Sequence, residues 1–191
     1  MKNHTIPSMK RFILGMIAFI TCLHLLAEST FGQSITTYAG GQLPIDGVPA
    51  NTQPIEQPSY VISDRAGGVY FTSYGNPYQR VFRIYADGTI TTIAGGLSGF
   101  SGDGGPARSA QLSSPQGLAL DASGNLYIAD TQNSRIRKVT PAGVISTFAG
   151  TGQFGYAGDG GPATLARLSS PSDVAVDGGG LRNHLRAYAA E

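Results

Sequence analysis

Residues 115–150 read PQGLALDASGNLYIADTQNSRIRKVTPAGVISTFAG. Four short apolar runs stand out in this stretch: Gly117–Asp121, Asn125–Asp130, Arg135–Thr140 and Val144–Ala149. Each is bounded by turn formers and the last three are rich in β-branched and aromatic residues, the pattern of a strand. Ala122-Ser123-Gly124 and Pro141-Ala142-Gly143 are tight connections with a glycine ready for the left-handed position. Asp130–Ser134 is a polar loop. Four antiparallel strands with such short connections make one up-and-down sheet. The pleat points Leu126 and Ile128 to one face and Tyr127 and Ala129 to the other, so both faces need cover.

The unit recurs. Ile35-Thr36-Thr37-Tyr38-Ala39-Gly40-Gly41 returns 55 residues later as Ile90–Gly96, and again as Ile145–Thr151. Ser101-Gly102-Asp103-Gly104-Gly105-Pro106-Ala107 reappears 56 residues on as Ala157–Ala163, with a weaker copy at Asp46–Ala50. Leu112-Ser113-Ser114-Pro115 matches Leu168–Pro171. A single four-stranded sheet is marginal in water, so copies must stack. Radial stacking gives a β-propeller, whose blades have a neighbour on each face. The fold class expected is all-β: an open, partial propeller with two full blades, Pro58–Ala94 and Pro115–Ala149. Two lone strands, Ile35–Ala39 and Pro171–Asp177, flank them.

The pattern P-x-G-[hydrophobic]-A-x-D-x-x-G-N-L-Y-[IV]-A-D-x-x-N-x-R-[IV]-R-K, carried by Pro115–Lys138, resembles the NHL repeat. The GFSGDGGPA insertion at 99–107 is similar to that of secreted bacterial NHL proteins with long repeats. The resemblance is strong from Ile90 to Asp177, weaker from Ile35 to Gly88 and absent beyond Gly180. It implies a ring of about six blades, which at this period would need about 330 residues. The 191 residues are therefore expected to be a truncated or frame-shifted reading of a longer gene. Residues 181–191, LRNHLRAYAAE, depart from the repeat and have helical character.

Lys2, Lys10 and Arg11 precede an apolar run, Phe12–Ala27, too short for the roughly 20 residues of a spanning helix. Residues 1–32 read as a secretory signal, cleaved after Ser29 or, preferably, after Gly32 to leave Gln33 first. The expected location is secreted or periplasmic, with no stable membrane insertion after cleavage. Of 13 basic and 12 acidic residues, cleavage leaves ten and eleven; no Cys, one His (His184) and two Glu (Glu56, Glu191) remain. Disulfides, thiolate nucleophiles and Cys or His metal sites are thereby closed off. No cofactor is expected.

The linkers Gly95–Gln116 and Gly150–Ser172 exceed the ordinary length of a connection, and such loops often carry function. Phe100, Asp103, Phe154, Tyr156 and Asp159 within them are the candidate ligand-face residues. Each linker supplies one carboxylate where calcium needs six to eight oxygens. Asp103 and Asp159 are instead read as caps of short helical turns starting at Pro106 and Pro162. A plainer reading has the linkers only covering gaps between blades. Asp130, Asn133 and Arg135 are read as structural, bracing the strand-to-strand loop. The basic cluster Arg135, Arg137 and Lys138 lacks interleaved aromatic residues, so nucleic acid is not expected. The chain is expected to be no enzyme but a binding or scaffolding module for a protein or carbohydrate. The alternative is a fragment of a six-bladed propeller hydrolase or lactonase, with catalytic residues in other blades. A third is a remnant without function.

Overall fold

A computed structural model describes residues 44–176 and 185–189. The described strands are β1 (Val48–Pro49), β2 (Pro58–Ser63), β3 (Val69–Ser73), β4 (Tyr78–Ile84), β5 (Thr89–Leu97), β6 (Pro115–Leu120), β7 (Leu126–Asp130), β8 (Arg135–Val139), β9 (Ile145–Ala149), β10 (Pro171–Val176) and β11 (Leu185–Ala189). They form three antiparallel sheets of order β1-β5-β4-β3-β2, β6-β7-β8-β9 and β10-β11. Register follows the repeat: Val81 pairs with Ala94 in the first sheet as Ile136 pairs with Ala149 in the second.

The sheets stack in chain order. β6 packs against β2 and β3 on one side and against β10 on the other. The opening strands β2, β6 and β10 are thus neighbours. Gly117 lets β6 and β10 close together, since a Cβ there would lie 2.4 Å from the Asp173 Cα. Leu126 and Ile128 join Leu118, Val139 and Ile145 in a core shared with Val81 and Ala94 of the first sheet. Tyr127 and Ala129, pointing oppositely, join Ala119, Ile136 and Ala149 in a second core with Val174 of β10. The middle sheet is therefore buried on both faces, as the alternation along β7 requires. This is an open arc of β-propeller blades.

The first long linker also builds the fold. Gly104 donates its amide to the Ile145 carbonyl at 2.8 Å, and Ala107 donates to that of Gly143 at 2.8 Å. The linker so adds a short fifth rung along β9, then turns inward. Ala107, Ala110 and Leu112 are fully buried in the core between the first two blades. β1 does the same for β5: Gly47 donates to Ile90 O at 2.8 Å and Ala50 to Gly88 O at 2.9 Å. Asp46–Ala50 and Asp103–Ala107 are thus equivalent straps, each covering a sheet edge that would otherwise stay open.

Two expectations change. Residues 185–189 are a strand, not a helix: β11 pairs with β10 from Val176↔Leu185 to Pro171↔Ala189, so β10 is not alone. Backbone pairing with the edge that β10 offers overrides local helical preference. The expected strand Ile35–Ala39, and the signal segment 1–32, lie outside the described residues.

Candidate functional site

The residues singled out in the first linker converge on the turn between β7 and β8. Asp130 ends β7, fully buried. Its Oδ1 accepts the Ser113 amide at 2.7 Å, and its Oδ2 accepts Asn133 Nδ2 at 2.9 Å and Arg137 Nη1 at 3.3 Å. Arg137, also fully buried, donates from Nη2 to Asp103 Oδ1 at 2.7 Å and to Ser101 O at 3.1 Å. Asn133 Nδ2 also donates to Gly99 O at 2.8 Å. Arg135 donates to Asn133 O at 3.2 Å and to Thr151 O at 2.7 Å, so it ties the turn to the second linker. The Phe100 ring lies 3.8 Å from the Arg135 guanidinium carbon and 4.8 Å from that of Arg137. Cation–π contacts from both arginines hold the ring, which is 40% exposed, in place.

Electrostatics divide the two carboxylates. Burial pushes the Asp130 carboxyl up to about 6, against the pull of the Ser113 amide, Asn133 and Arg137. Burial also pushes Asp103 up, but the Thr147 hydroxyl and Arg137 outweigh it and hold that carboxyl below its ordinary value. Thr147 Oγ1 donates to Asp103 Oδ2 at 2.6 Å. Asp103 therefore does not cap the helical turn at 107–109, which has no side-chain cap at all. Its partners lie 34 and 44 residues away, beyond what local spacing reveals.

The second linker holds its candidates differently. Phe154 and Tyr156 are 71% and 80% exposed. Asp159 is exposed and makes no side-chain hydrogen bond among the described residues; the turn at 163–165 likewise lacks a side-chain cap. Tyr156, Asp159, Arg167 and Leu168 border an open cleft of about 300 Å3. The structure thus joins Phe100 and Asp103 to Asp130, Asn133 and Arg135, and sets Phe154, Tyr156 and Asp159 apart.

The first blade carries a group that sequence reading passed over. Ser73 pairs with Arg80 as Asp130 pairs with Arg135. Counting onward, Phe82 stands where the second blade has Arg137. The buried ion pair is replaced there by Ser73 and by the Phe82 ring, stacked on Phe71 at 5.2 Å. A pocket of about 120 Å3 opens beside them, bordered by Glu56, Tyr78 and Arg80. The signal was available in the sequence: two repeat positions change together.

Residues 96–156 match the Teneurin NHL domain family. Human Teneurin-4 is 41% identical over 70 residues, covering 31% of this chain and 2% of its own length. The chloroplastic protein SUPPRESSOR OF QUENCHING 1 of Arabidopsis thaliana is 36% identical over 96 residues, 49% of this chain and 9% of its own. A Bacteroides thetaiotaomicron structural genomics protein of unknown function superimposes with a TM-score of 0.54 at 25% identity. That match covers 74% of this chain and 33% of the solved one. The chain thus spans a third of that structure and under a tenth of the curated relatives. Sequence pattern, blade topology and these relatives agree that the repeat matched over residues 96–156 is an NHL repeat and that the described sheets are blades of an open, partial β-propeller.

Proposed function

We propose that this NHL propeller is exported and acts as a binding or scaffolding module for a protein or carbohydrate. The observation that carries the reading is the use made of the repeat's charged and polar residues. Asp103, Asp130, Asn133, Arg135 and Arg137 are all engaged in holding linkers to blades. Of the candidate ligand-face residues, Phe154 and Tyr156 are the most exposed aromatic side chains, beside a cleft bordered by Asp159. Aromatic side chains of this kind give large contact area at small entropic cost, and loops on a rigid scaffold are the usual place for binding.

The test is binding of the full chain to glycan and peptide arrays, beside a Phe154→Ser/Tyr156→Ser variant. The reading expects a hit that weakens at least about tenfold in the variant, the loss of one or two aromatic contacts. Hits indifferent to both substitutions, or turnover in an esterase and lactonase screen, would overturn it. Export has its own check. A bacterial host with a working secretory route should release protein beginning at Gln33. Retention in the cytoplasm with an intact amino terminus contradicts export.

A further inference from the structure

In the second blade, the space under the β7–β8 turn is filled by the protein's own charges. In the first blade the same space is the pocket of about 120 Å3 beside Ser73 and Phe82. Arg80 is what remains of the charged set. Its counterpart Arg135 has two carbonyl acceptors and the Phe100 ring. Arg80 has the Tyr78 ring at 4.9 Å and no hydrogen-bond acceptor among the described residues; its Nε is buried and unpartnered. A guanidinium keeps its charge under all ordinary conditions, so an unmet buried donor is costly.

Glu56 also borders the pocket. Its carboxylate lies over Gly75, where a Cβ would come within 2.4 Å of Oε2. Its backbone carbonyl accepts the Ser73 hydroxyl, which fixes the segment. Glu56 and Arg80 both border the pocket, yet no ion pair joins them among the described residues. Arg80 and Glu56 therefore border a common space with Tyr78 and Phe82, and Asp46 adds a second negative charge that acts on Arg80.

We propose that this pocket binds a small carboxylate that also carries a hydrogen-bond donor, such as an amino acid or a hydroxy acid. The ligand carboxylate takes the Arg80 guanidinium, as Asp130 takes Arg137 in the next blade. The donor, an ammonium or a hydroxyl, takes Glu56. The short carbon skeleton rests on Tyr78 and Phe82. Size limits the ligand, because a cavity of about 150 Å3 is filled by benzene. The Glu56 charge disfavours sulfate or phosphate, which would bring two negative charges beside it.

The arginine Nε–H resonances of the isotopically labelled full chain test this directly. Glycine and lactate are the probes, with acetate and sulfate as controls. Glycine or lactate should shift the Arg80 resonance saturably, with a Kd of about 1–10 mM for so small a ligand. Acetate should bind about tenfold more weakly, lacking one charge-assisted hydrogen bond. The Arg135 resonance should stay in place. Glu56→Gln should bring glycine and acetate together, and Arg80→Gln should abolish the shifts of the Tyr78 ring signals while the amide spectrum persists. No saturable shift up to about 100 mM, an equal response to sulfate, equal binding of acetate and glycine, or an equal movement of Arg135 would each overturn the proposal. Arrays scored at Phe154 and Tyr156 can fail without touching this result.

Discussion

Arg137 shows why single residues of the repeat matter. It is fully buried between two carboxylates, Asp103 at 2.7 Å and Asp130 at 3.3 Å. Breaking such a set is worse than lacking it, because the partner left behind is a buried charge. Arg137→Met should lower stability by about 3–5 kcal/mol in urea unfolding. Asp130→Ser combined with Arg137→Phe copies the first blade and should recover at least half of that loss. A double variant no better than the single one would show that charge pairing is not the cause. Asp130 also titrates in a readable direction. Its folded value of about 6 lies above the ordinary carboxyl value near 4, so between these the folded state holds more proton. Its contribution to stability therefore falls as pH rises from about 4 to about 6, then levels. Asp64, Asp103 and Asp121 are held low by hydrogen bonds despite burial. They contribute above the ordinary carboxyl value and lose that contribution as pH falls through their folded values. They are common to both proteins and cancel when Asp130→Asn is compared with the parent. The Tm of Asp130→Asn relative to the parent should thus climb across pH 4–6; a constant difference contradicts the assignment.

At the scale of elements, the glycine straps decide how blades are joined. Gly102 has φ +91°, and a Cβ there would lie 2.8 Å from the Ala110 Cα. Gly104 has φ +81° but open space around it. Gly102→Ala should therefore cost more than Gly104→Ala, about 2–4 kcal/mol against about 1 kcal/mol. Hydrogen exchange reads the consequence. The Gly104 and Ile145 amides, which bond across the strap, should lose protection in Gly102→Ala and keep most of it in Gly104→Ala. The strands of the blade were legible because each is short, alternating and fenced by turns. The straps were not: Asp46–Ala50 was visible as a weak repeat, but its pairing with β5 depends on an edge more than 40 residues away. β11 was missed for the same reason. Local preference spoke for a helix, and only the open edge of β10 spoke for a strand.

At the scale of the molecule, the sheets hold each other. Leu118 lies in the same core as Val81 and Ala94 of the first blade and Leu126 and Ile128 of its own. The two-faced burial of β7 was legible from Leu126-Tyr127-Ile128-Ala129, because no isolated sheet can hide both faces. The candidate site was only partly so. Phe100 and Asp103 looked available as exposed loop residues, yet the arginines that hold them arrive from β8, some 34 residues later. The Arg80 pocket escaped notice because it is made by what the first blade lacks. Stacking of the copies on shared cores is the claim on which the rest depends, and native-state hydrogen exchange on Leu118→Ala tests it most directly. The cavity should cost about 2–5 kcal/mol, and the slowest amides of β3 and β7 should lose protection together and by the same amount. Loss confined to β6–β9, with β3 unchanged, would mean that the blades stand alone and would contradict the account.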